Sequence, residues 1–416
     1  MQLWRPFTQH ALAPPAPVIA RAEGAYLFVE DGRKIFDGIS SWWVTTHGHS
    51  HPVIAAAIAE QTARLSQTIL ANFTHDVVQT FMAEFRKFVA PQFEHLFLSD
   101  SGSTAVEVAI KMVVGAWYHR GSPKRYKIIA FDHAYHGDTV GTSSVGARGT
   151  FTRANEPLLF EVLRVPSPAD GAVACLEGLE HTFKTHRDEI AAVVIEPLVQ
   201  AAGGMKFYAP DALDDITRMA RKYGAFMIFD EVFTGFGRTG TMFAYQQCTE
   251  LPDIIALSKG ITGGFLPMGA TLATQEIFDE FYALDRAKMF FHSTSYTGNA
   301  LSCAAAVANL KVWETTDVLG KVAALNALQR KFLAGVAQAQ NPRTFGTIAA
   351  FEVDGGSNNY LANIGPAMNQ YGLEHGVLIR PLGNTVYVMP PYCTNEDELK
   401  LCYGVIAEFL QTSNQI

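Results

Sequence analysis

Between about residue 92 and residue 275, short apolar runs alternate with amphipathic stretches, and each run stops at a cluster of polar residues. That alternation predicts strands and helices wound around a mainly parallel sheet, because parallel strands need a long crossover and are buried on both faces. His95–Ser99, Lys127–Phe131, Ala191–Ile195, Ala225–Phe229 and Asp253–Leu257 read as strands. Ser103–Trp117 reads as a helix with Val106, Ala109, Ile110 and Val113 on one face, and Ala212–Lys222 as another. In open α/β sheets ligands bind beyond the carboxyl ends of the strands, so the polar clusters are where chemistry is sought.

The flanks read differently. Residues 1 to about 50 are loop-like and rich in Pro and Trp, with a hairpin signal at Glu30-Asp31-Gly32-Arg33 between Tyr26–Val29 and Lys34–Asp37. After about residue 298 the helical patterns Ala300–Trp313 and Val318–Ala337 give way to short strands around Thr344–Val353 and Thr385–Met389. The expected organisation is an N-terminal segment, 1–50, that joins a small domain; a large domain, 51–297; and a C-terminal small α+β domain, 298–416. The 416 residues are 48% hydrophobic and only 17% charged, below the usual quarter, so much surface is expected in packing or between subunits. A net charge of −8 without a basic run offers no nucleic-acid or anionic-membrane surface, which leaves a small molecule as the default partner. No window approaches 18 consecutive apolar residues, and Trp4, Arg5 and Pro6 stand where a signal peptide would be apolar. With five scattered cysteines (Cys175, Cys248, Cys303, Cys393, Cys402), the expectation is a cytoplasmic protein with reduced thiols in its core.

Three clusters carry chemistry. Ser99-Asp100-Ser101-Gly102-Ser103-Thr104 lies between a strand and a helix, where a tight glycine turn and unpaired helix amides form a phosphate site. Ser and Thr are also ordinary helix caps, so this cluster alone decides nothing. Asp230-Glu231-Val232 ends a buried strand, and a carboxylate there needs a cation or a protonated base beside it. Ser258-Lys259-Gly260 ends another, where desolvation lowers a lysine pKa and makes it a nucleophile toward carbonyls. An ion pair between the acid and the lysine, or solvated strand ends, would explain these two blandly.

Together the clusters are what pyridoxal 5′-phosphate requires. The cup takes the phosphate, the carboxylate keeps the pyridine nitrogen protonated, and the lysine forms the internal aldimine. Tyr135, in Tyr135-His136-Gly137-Asp138 after the strand Lys127–Phe131, is placed to stack on the ring, unless it is a core tyrosine. Val232 lies on the same strand face as Asp230 and is placed to pack against the other side of the ring.

The ordered motifs Gly102-Ser103, Tyr135-His136-Gly137, Glu196-Pro197, Asp230-Glu231-Val232, Gly235-Phe236-Gly237-Arg238, Lys259-Gly260 and Thr297-Gly298-Asn299 resemble those of class-III, or omega, aminotransferases. The resemblance spans nearly the whole chain. It implies the fold-type-I architecture of pyridoxal-phosphate transferases, α/β with a mainly parallel seven-stranded sheet in the large domain and a smaller α+β domain built from both chain ends. It also implies a homodimer with shared active sites. Trp4-Arg5-Pro6-Phe7-Thr8, Ser40-Ser41-Trp42-Trp43 and Arg380-Pro381-Leu382-Gly383 are similar to the branch serving biotin biosynthesis, which implies amino transfer from S-adenosylmethionine to 8-amino-7-oxononanoate. Rival readings are another amino donor (lysine, ornithine or 4-aminobutyrate) and a non-catalytic protein that merely holds the cofactor.

Carried over residue by residue, the resemblance makes Lys259 the covalent anchor and proton shuttle, Asp230 the partner of the ring nitrogen, and Gly102 with Ser103 the phosphate site. Thr294 and Ser295 would reach the partner subunit's phosphate, with Ser293 beside them. Tyr135, Trp42 and Trp43 would line the substrate pocket with Phe7, which stands where the family usually has Tyr. Arg380 would bind the acceptor carboxylate, and Arg238 would help sort the two substrates. Glu196 is read as an orienting acid near the ring or near Arg238, or simply as a strand end, and Asp138 as a support for Tyr135 or a turn cap. His47, His49 and His51 alternate in a loop with no Cys or carboxylate nearby, so no metal is expected.

Overall fold

A computed structural model describes Met1, residues 3–353, Leu361 and residues 364–413. Three strands open the chain: β1 (Ile19–Glu23), β2 (Tyr26–Val29) and β3 (Lys34–Asp37), with the β2–β3 turn closing at Gly32 (φ 93°) as the hairpin signal requires. The large sheet follows with β4 (Phe93–Ser99), β5 (Lys127–Phe131), β6 (Leu163–Val165), β7 (Ile190–Ile195), β8 (Phe226–Asp230), β9 (Ile254–Leu257) and β10 (Gly269–Thr274). Beyond it lie β11 (Gln340–Phe345), β12 (Ile348–Glu352), β13 (Val377–Leu378) and β14 (Thr385–Val388).

The large sheet has the order β4-β10-β9-β8-β7-β5-β6, and β10 alone runs antiparallel to its neighbours. Every residue of β7, β8 and β9 is buried, as expected of parallel strands covered on both faces. Their side chains alternate between two cores. Ile129, Phe131, Val193, Ile195, Met227 and Phe229 meet Leu179 and Phe183 from the helix Ala172–Thr185 and Leu213 and Ile216 from the helix Pro210–Lys222. Ile128, Ala130, Val194, Ile228 and Ile254 meet Val106, Ile110 and Val113 from the helix Gly102–His119.

The chain ends share a second structure. β13 pairs in parallel with β3, so the first and last quarters of the sequence form one sheet, β1-β2-β3-β13. β11, β12 and β14 form a separate antiparallel sheet backed by the helices Val318–Leu333 and Glu396–Ser413. The first of these stops short of the expected Ala337, one residue past its end a backbone turn at Ala334 leading into Gly335. Cys175, Cys303 and Cys402 are buried, but Cys248 is half-buried and Cys393 is exposed, against the expectation of core thiols. Cys393 sits in the turn that precedes the last helix, with its sulfur beside Gly48. Among the described residues no helix is long and apolar enough to cross a membrane.

Phe229 is fully buried at the centre of the sheet. Phe229→Ala is expected to cost about 3–5 kcal/mol of stability, read as a fall in the urea midpoint of the cofactor-free chain, with Phe229→Leu losing less.

Candidate active site

The sheet order sets out the site. Passing from β4 across the sheet, the loops beyond the strands deliver Gly102 and Ser103, then Lys259 after β9, Asp230 at the tip of β8, Glu196 after β7 and Tyr135 after β5. All six line one cavity of about 160 Å³, together with Trp43, Val232 and Phe233. A larger cavity of about 610 Å³ adjoins it through Tyr135 and Gly137 and includes Phe151.

At the β4 end, Ser101 caps the helix Gly102–His119. Its hydroxyl accepts the Thr104 amide at 3.2 Å, and Thr104 Oγ1 accepts the Ser101 amide at 2.9 Å. The amides of Gly102 and Ser103 therefore stand in the first turn without intrahelical acceptors, an anion site in waiting. A β-carbon on Gly102 would collide with the Val232 side chain, and one on Gly137 with Ser103 Oγ, so glycine is needed at both positions for the cup to close.

Asp230 Oδ2 is 2.7 Å from His136 Nδ1, and Asp230 Oδ1 accepts the Val232 amide at 3.0 Å. Burial opposes a charged imidazolium, yet the hydrogen bond and charge of Asp230 lift the His136 pKa above its usual value. His136 Nε2 is buried without a partner. Glu196 accepts the Tyr135 amide and the Ala201 amide, each at 3.0 Å, and burial pushes its pKa up to about 7. It therefore belongs to the Tyr135 side of the site, and among the described residues it makes no ion pair with Arg238. Tyr135 donates its hydroxyl to Asp138 at 3.0 Å, so Asp138 supports that side chain and is more than a turn cap.

Lys259 has φ 47°, a left-handed value, and its Nζ lies 4.9 Å from the Trp43 ring and 5.6 Å from the Phe233 ring. Burial lowers its pKa to about 8, while Asp230 and Glu196 resist the fall and Arg238 adds to it. Among the described residues it makes no ion pair: the acid of β8 pairs with His136, not with the lysine.

An aromatic cluster borders the larger cavity at Phe151. Phe7 packs edge-on against Trp42 at 5.5 Å and Phe151 at 5.7 Å, while Arg380 donates to the Phe7 carbonyl at 3.2 Å and lies 5.1 Å over the Trp42 ring. Both tryptophans sit on one turn of left-handed helix, Ser40–Trp43, with φ of 51°, 44°, 69° and 74°. Such backbone costs L-residues about 1–2 kcal/mol each, so the turn persists only because its surroundings enforce it.

Arg238 and the segment 293–295 lie away from both cavities. Arg238 is fully buried beneath this turn, donating to the carbonyls of Trp43 (3.2 Å), Thr45 (3.1 Å) and Pro390 (3.4 Å), and lines neither cavity. Ser293, Thr294 and Ser295 stay outside the cavities of their own chain. Thr294 donates to Asp100 at 2.8 Å, and the Ser295 carbonyl accepts from Gln67 at 3.3 Å. The sequence reading assigned no role to His136, Asp37 or Phe151; His136 carried a signal as the neighbour of Tyr135 in a strand-end motif, and Asp37 as the residue that opens the segment Asp37-Gly38-Ile39-Ser40-Ser41-Trp42-Trp43. Among the described residues the three alternating histidines join no cluster of three or more metal-binding side chains; His47 meets Asn309 at 2.9 Å, and His49 meets the carboxylate of Asp37 at 2.8 Å, against the expectation that no carboxylate lies near.

The aminotransferase class-III family profile matches residues 8–410. The chain is 42% identical to an adenosylmethionine-8-amino-7-oxononanoate aminotransferase of Synechococcus elongatus, over 98% of each chain. It is 37% identical to the protein of the same name from Geobacter sulfurreducens, over 99% of this chain and 96% of that one. Among solved structures, the aminotransferase of that name from Methanocaldococcus jannaschii superposes with a TM-score of 0.91 at 30% identity, covering 99% and 97% of the two chains. A pyridoxal-phosphate-bound amine transaminase from an uncultivated Pseudomonas species gives 0.90 at 29%, covering 99% and 98%.

A lysine held near pH 8 reacts with aldehydes through its neutral form. Reductive trapping of a small aldehyde on Lys259 of the cofactor-free chain is therefore expected to accelerate as pH rises through about 8, well below the usual lysine range. Asp230→Asn removes a charge that favours the ammonium, so it is expected to move that midpoint lower; a midpoint that rises or stays fixed contradicts the assigned electrostatics.

Proposed function

The chain belongs to the class-III aminotransferase family, and from that premise we propose that it transfers the amino group of S-adenosylmethionine to 8-amino-7-oxononanoate, giving 7,8-diaminononanoate in biotin biosynthesis. The observation that carries the reading is the meeting of Phe7, Trp42 and Arg380 against Phe151 of the larger cavity, with Trp42 next in sequence to Trp43 of the Lys259 cavity. Those three residues lie far apart in sequence, and a guanidinium beside an aromatic wall suits an acceptor that is an apolar chain ending in a carboxylate.

The residues fit pyridoxal phosphate. The cup at Gly102 is closed to side chains, the buried His136 Nε2 awaits a partner, and a lysine and a carboxylate converge on the same small cavity. When bound, that cofactor supplies an electron sink for negative charge at the reacting carbon of either substrate. Gly102 and Ser103 offer amides to its phosphate. Asp230 holds the proton of its ring nitrogen, and His136 fixes the carboxylate from the far side. Tyr135, anchored by Asp138 and Glu196, flanks the ring opposite Val232. Trp43 and Phe233 flank Lys259 Nζ, and that nitrogen, whose pKa burial lowers from the usual lysine range, is the base that moves the proton from the substrate carbon.

The two half-reactions use one pocket in turn. The cavity of about 610 Å³ beside Tyr135 and Phe151 has room for a bulky donor, and Arg380 receives the acceptor carboxylate. Residues 51–297 form the cofactor domain in this reading, with 1–50 and 298–416 as its smaller companion. The enzyme works as a homodimer in which Ser293, Thr294 and Ser295 serve the second subunit's site. Exposed Phe291 and Tyr296, flanking that segment, favour such a covering surface.

Conversion of the bound cofactor to its amine form is followed spectroscopically with S-adenosylmethionine, lysine, ornithine and 4-aminobutyrate in parallel. Fast conversion by S-adenosylmethionine alone supports the proposed donor, and faster conversion by lysine replaces it. Arg380→Ala is expected to lower kcat/KM for the acceptor half by about 10²-fold while the donor half changes little; equal losses in both halves would remove Arg380 from that role.

A further inference from the structure

Lys259 stands on a short turn, Lys259–Thr262, at the left-handed φ of 47° that residues with a side chain avoid. Such a turn keeps its shape only if its surroundings hold it. Before the lysine, Ser258 Oγ donates to the Met268 carbonyl at 2.6 Å. After it, Asn309 Nδ2 donates to the carbonyls of Gly260 (3.0 Å) and Ile261 (3.1 Å). Asn309 belongs to the helix Ala300–Thr315, among Ala305, Ala306 and Ala308, and is fully buried. Asparagine is a poor helix former and its amide is costly to bury, so its bonds to the turn must offset both.

The direction of those bonds fixes the next partner. Carbonyls only accept, so the nitrogen of the Asn309 amide faces Gly260 and Ile261, and its oxygen faces away from them. His47 Nε2 lies 2.9 Å from that oxygen and must therefore carry a hydrogen. Burial lowers the His47 pKa to about 4, which keeps the ring neutral. The rings of His51, Trp313 and Tyr392 meet it edge-on, each with its centroid 6.0 Å away. The backbone of the same segment also closes on the lysine turn, since a β-carbon on Gly264 would collide with the Val44 carbonyl. His47 follows Trp43, whose ring faces Lys259 Nζ, so one segment meets the lysine at its nitrogen and, through Asn309, at its backbone.

We propose that His47 and Asn309 act in series as positioning residues for Lys259: the histidine aims the amide, and the amide clamps the turn that presents the lysine nitrogen to the reacting carbon. The inference rests on Lys259 being the base of the proposed reaction and is independent of the donor's identity.

The test compares His47→Ala, His47→Gln, Asn309→Ala, and His47→Ala combined with Asn309→Ala. One readout is the limiting rate at which a small aldehyde is reductively trapped on Lys259 in the cofactor-free full chain. The other is KM and kcat for each half-reaction of the holoenzyme. A misaimed lysine slows chemistry and leaves substrate binding intact. His47→Ala and Asn309→Ala are therefore each expected to lower the trapping rate and both kcat values on the order of tenfold, with KM little changed. Because the two residues act in series, the double variant is expected to be no slower than Asn309→Ala alone. Glutamine places an N–H at the reach of the imidazole Nε2, so His47→Gln is expected to regain most of the loss. If Asn309→Ala does not fold, the comparison of His47→Ala with His47→Gln is read in its place. Unchanged trapping and kcat, losses that add in the double variant, a loss confined to KM, or no rescue by glutamine would each overturn the proposal. The trapping arm needs no substrate, so if it responds as expected while S-adenosylmethionine fails as a donor, the donor assignment falls and the positioning role stands.

Discussion

Burying charge is costly, and here two acids and two bases are buried within one small cavity at the mouth of the sheet. Asp230 and His136 neutralise each other at 2.7 Å, while Glu196 and Lys259 face them without a direct ion pair. The consequence is a compression of the titration scale. A carboxyl that ordinarily titrates near 4.5 and an amine that ordinarily titrates near 10.5 are brought to about 7 and about 8. Both groups are thereby brought to where a proton is readily gained or lost near neutral pH, the condition that the proposed amino transfer asks of Lys259. The completely buried strands β7, β8 and β9 supply the dry surroundings that make the shift possible.

Legibility in the sequence followed distance along the chain. Gly102, Ser103, Asp230 and Lys259 sit at the ends of strands whose apolar runs are unmistakable, so their placement follows from local pattern and from the rule that sheets bind ligands at their carboxyl edge. Tyr135 and Asp138 are three residues apart, and their contact belongs to the same short loop. Arg238 behaves otherwise. Its acceptors, Trp43 and Thr45, lie 195 and 193 residues away, and nothing near a Gly-Phe-Gly-Arg turn tells whether the guanidinium meets a substrate or the underside of a distant loop. The left-handed turn was hidden for a sharper reason. Serine and tryptophan carry no preference for positive φ, so local propensity argues against the conformation that tertiary contacts impose.

The aromatic cluster shows what composition can and cannot announce. A chain with little charge has apolar surface to spare, and part of it is used where Phe7, Trp42 and Phe151 meet edge to edge. That the first few residues return to a site formed mainly after residue 99 is a fact of topology. It follows from β3 pairing with β13, which ties the two chain ends together and carries Arg380 to within reach of Phe7.

The solitary antiparallel strand β10 has a bearing on how the site keeps its dimensions. Its residue Ala270 lies opposite Leu257, two residues before the lysine, and its residue Gly269 lies opposite Ser99, three before the cup. One strand thus interlocks with both of the strands that deliver the amine and the phosphate amides. The span between them is therefore two rungs of a backbone ladder, about 9–10 Å, a length fixed by hydrogen bonds that no side chain can alter. Loops around this edge are free to diverge and reshape what enters the pocket, while the gauge between anchor and anion cup stays constant.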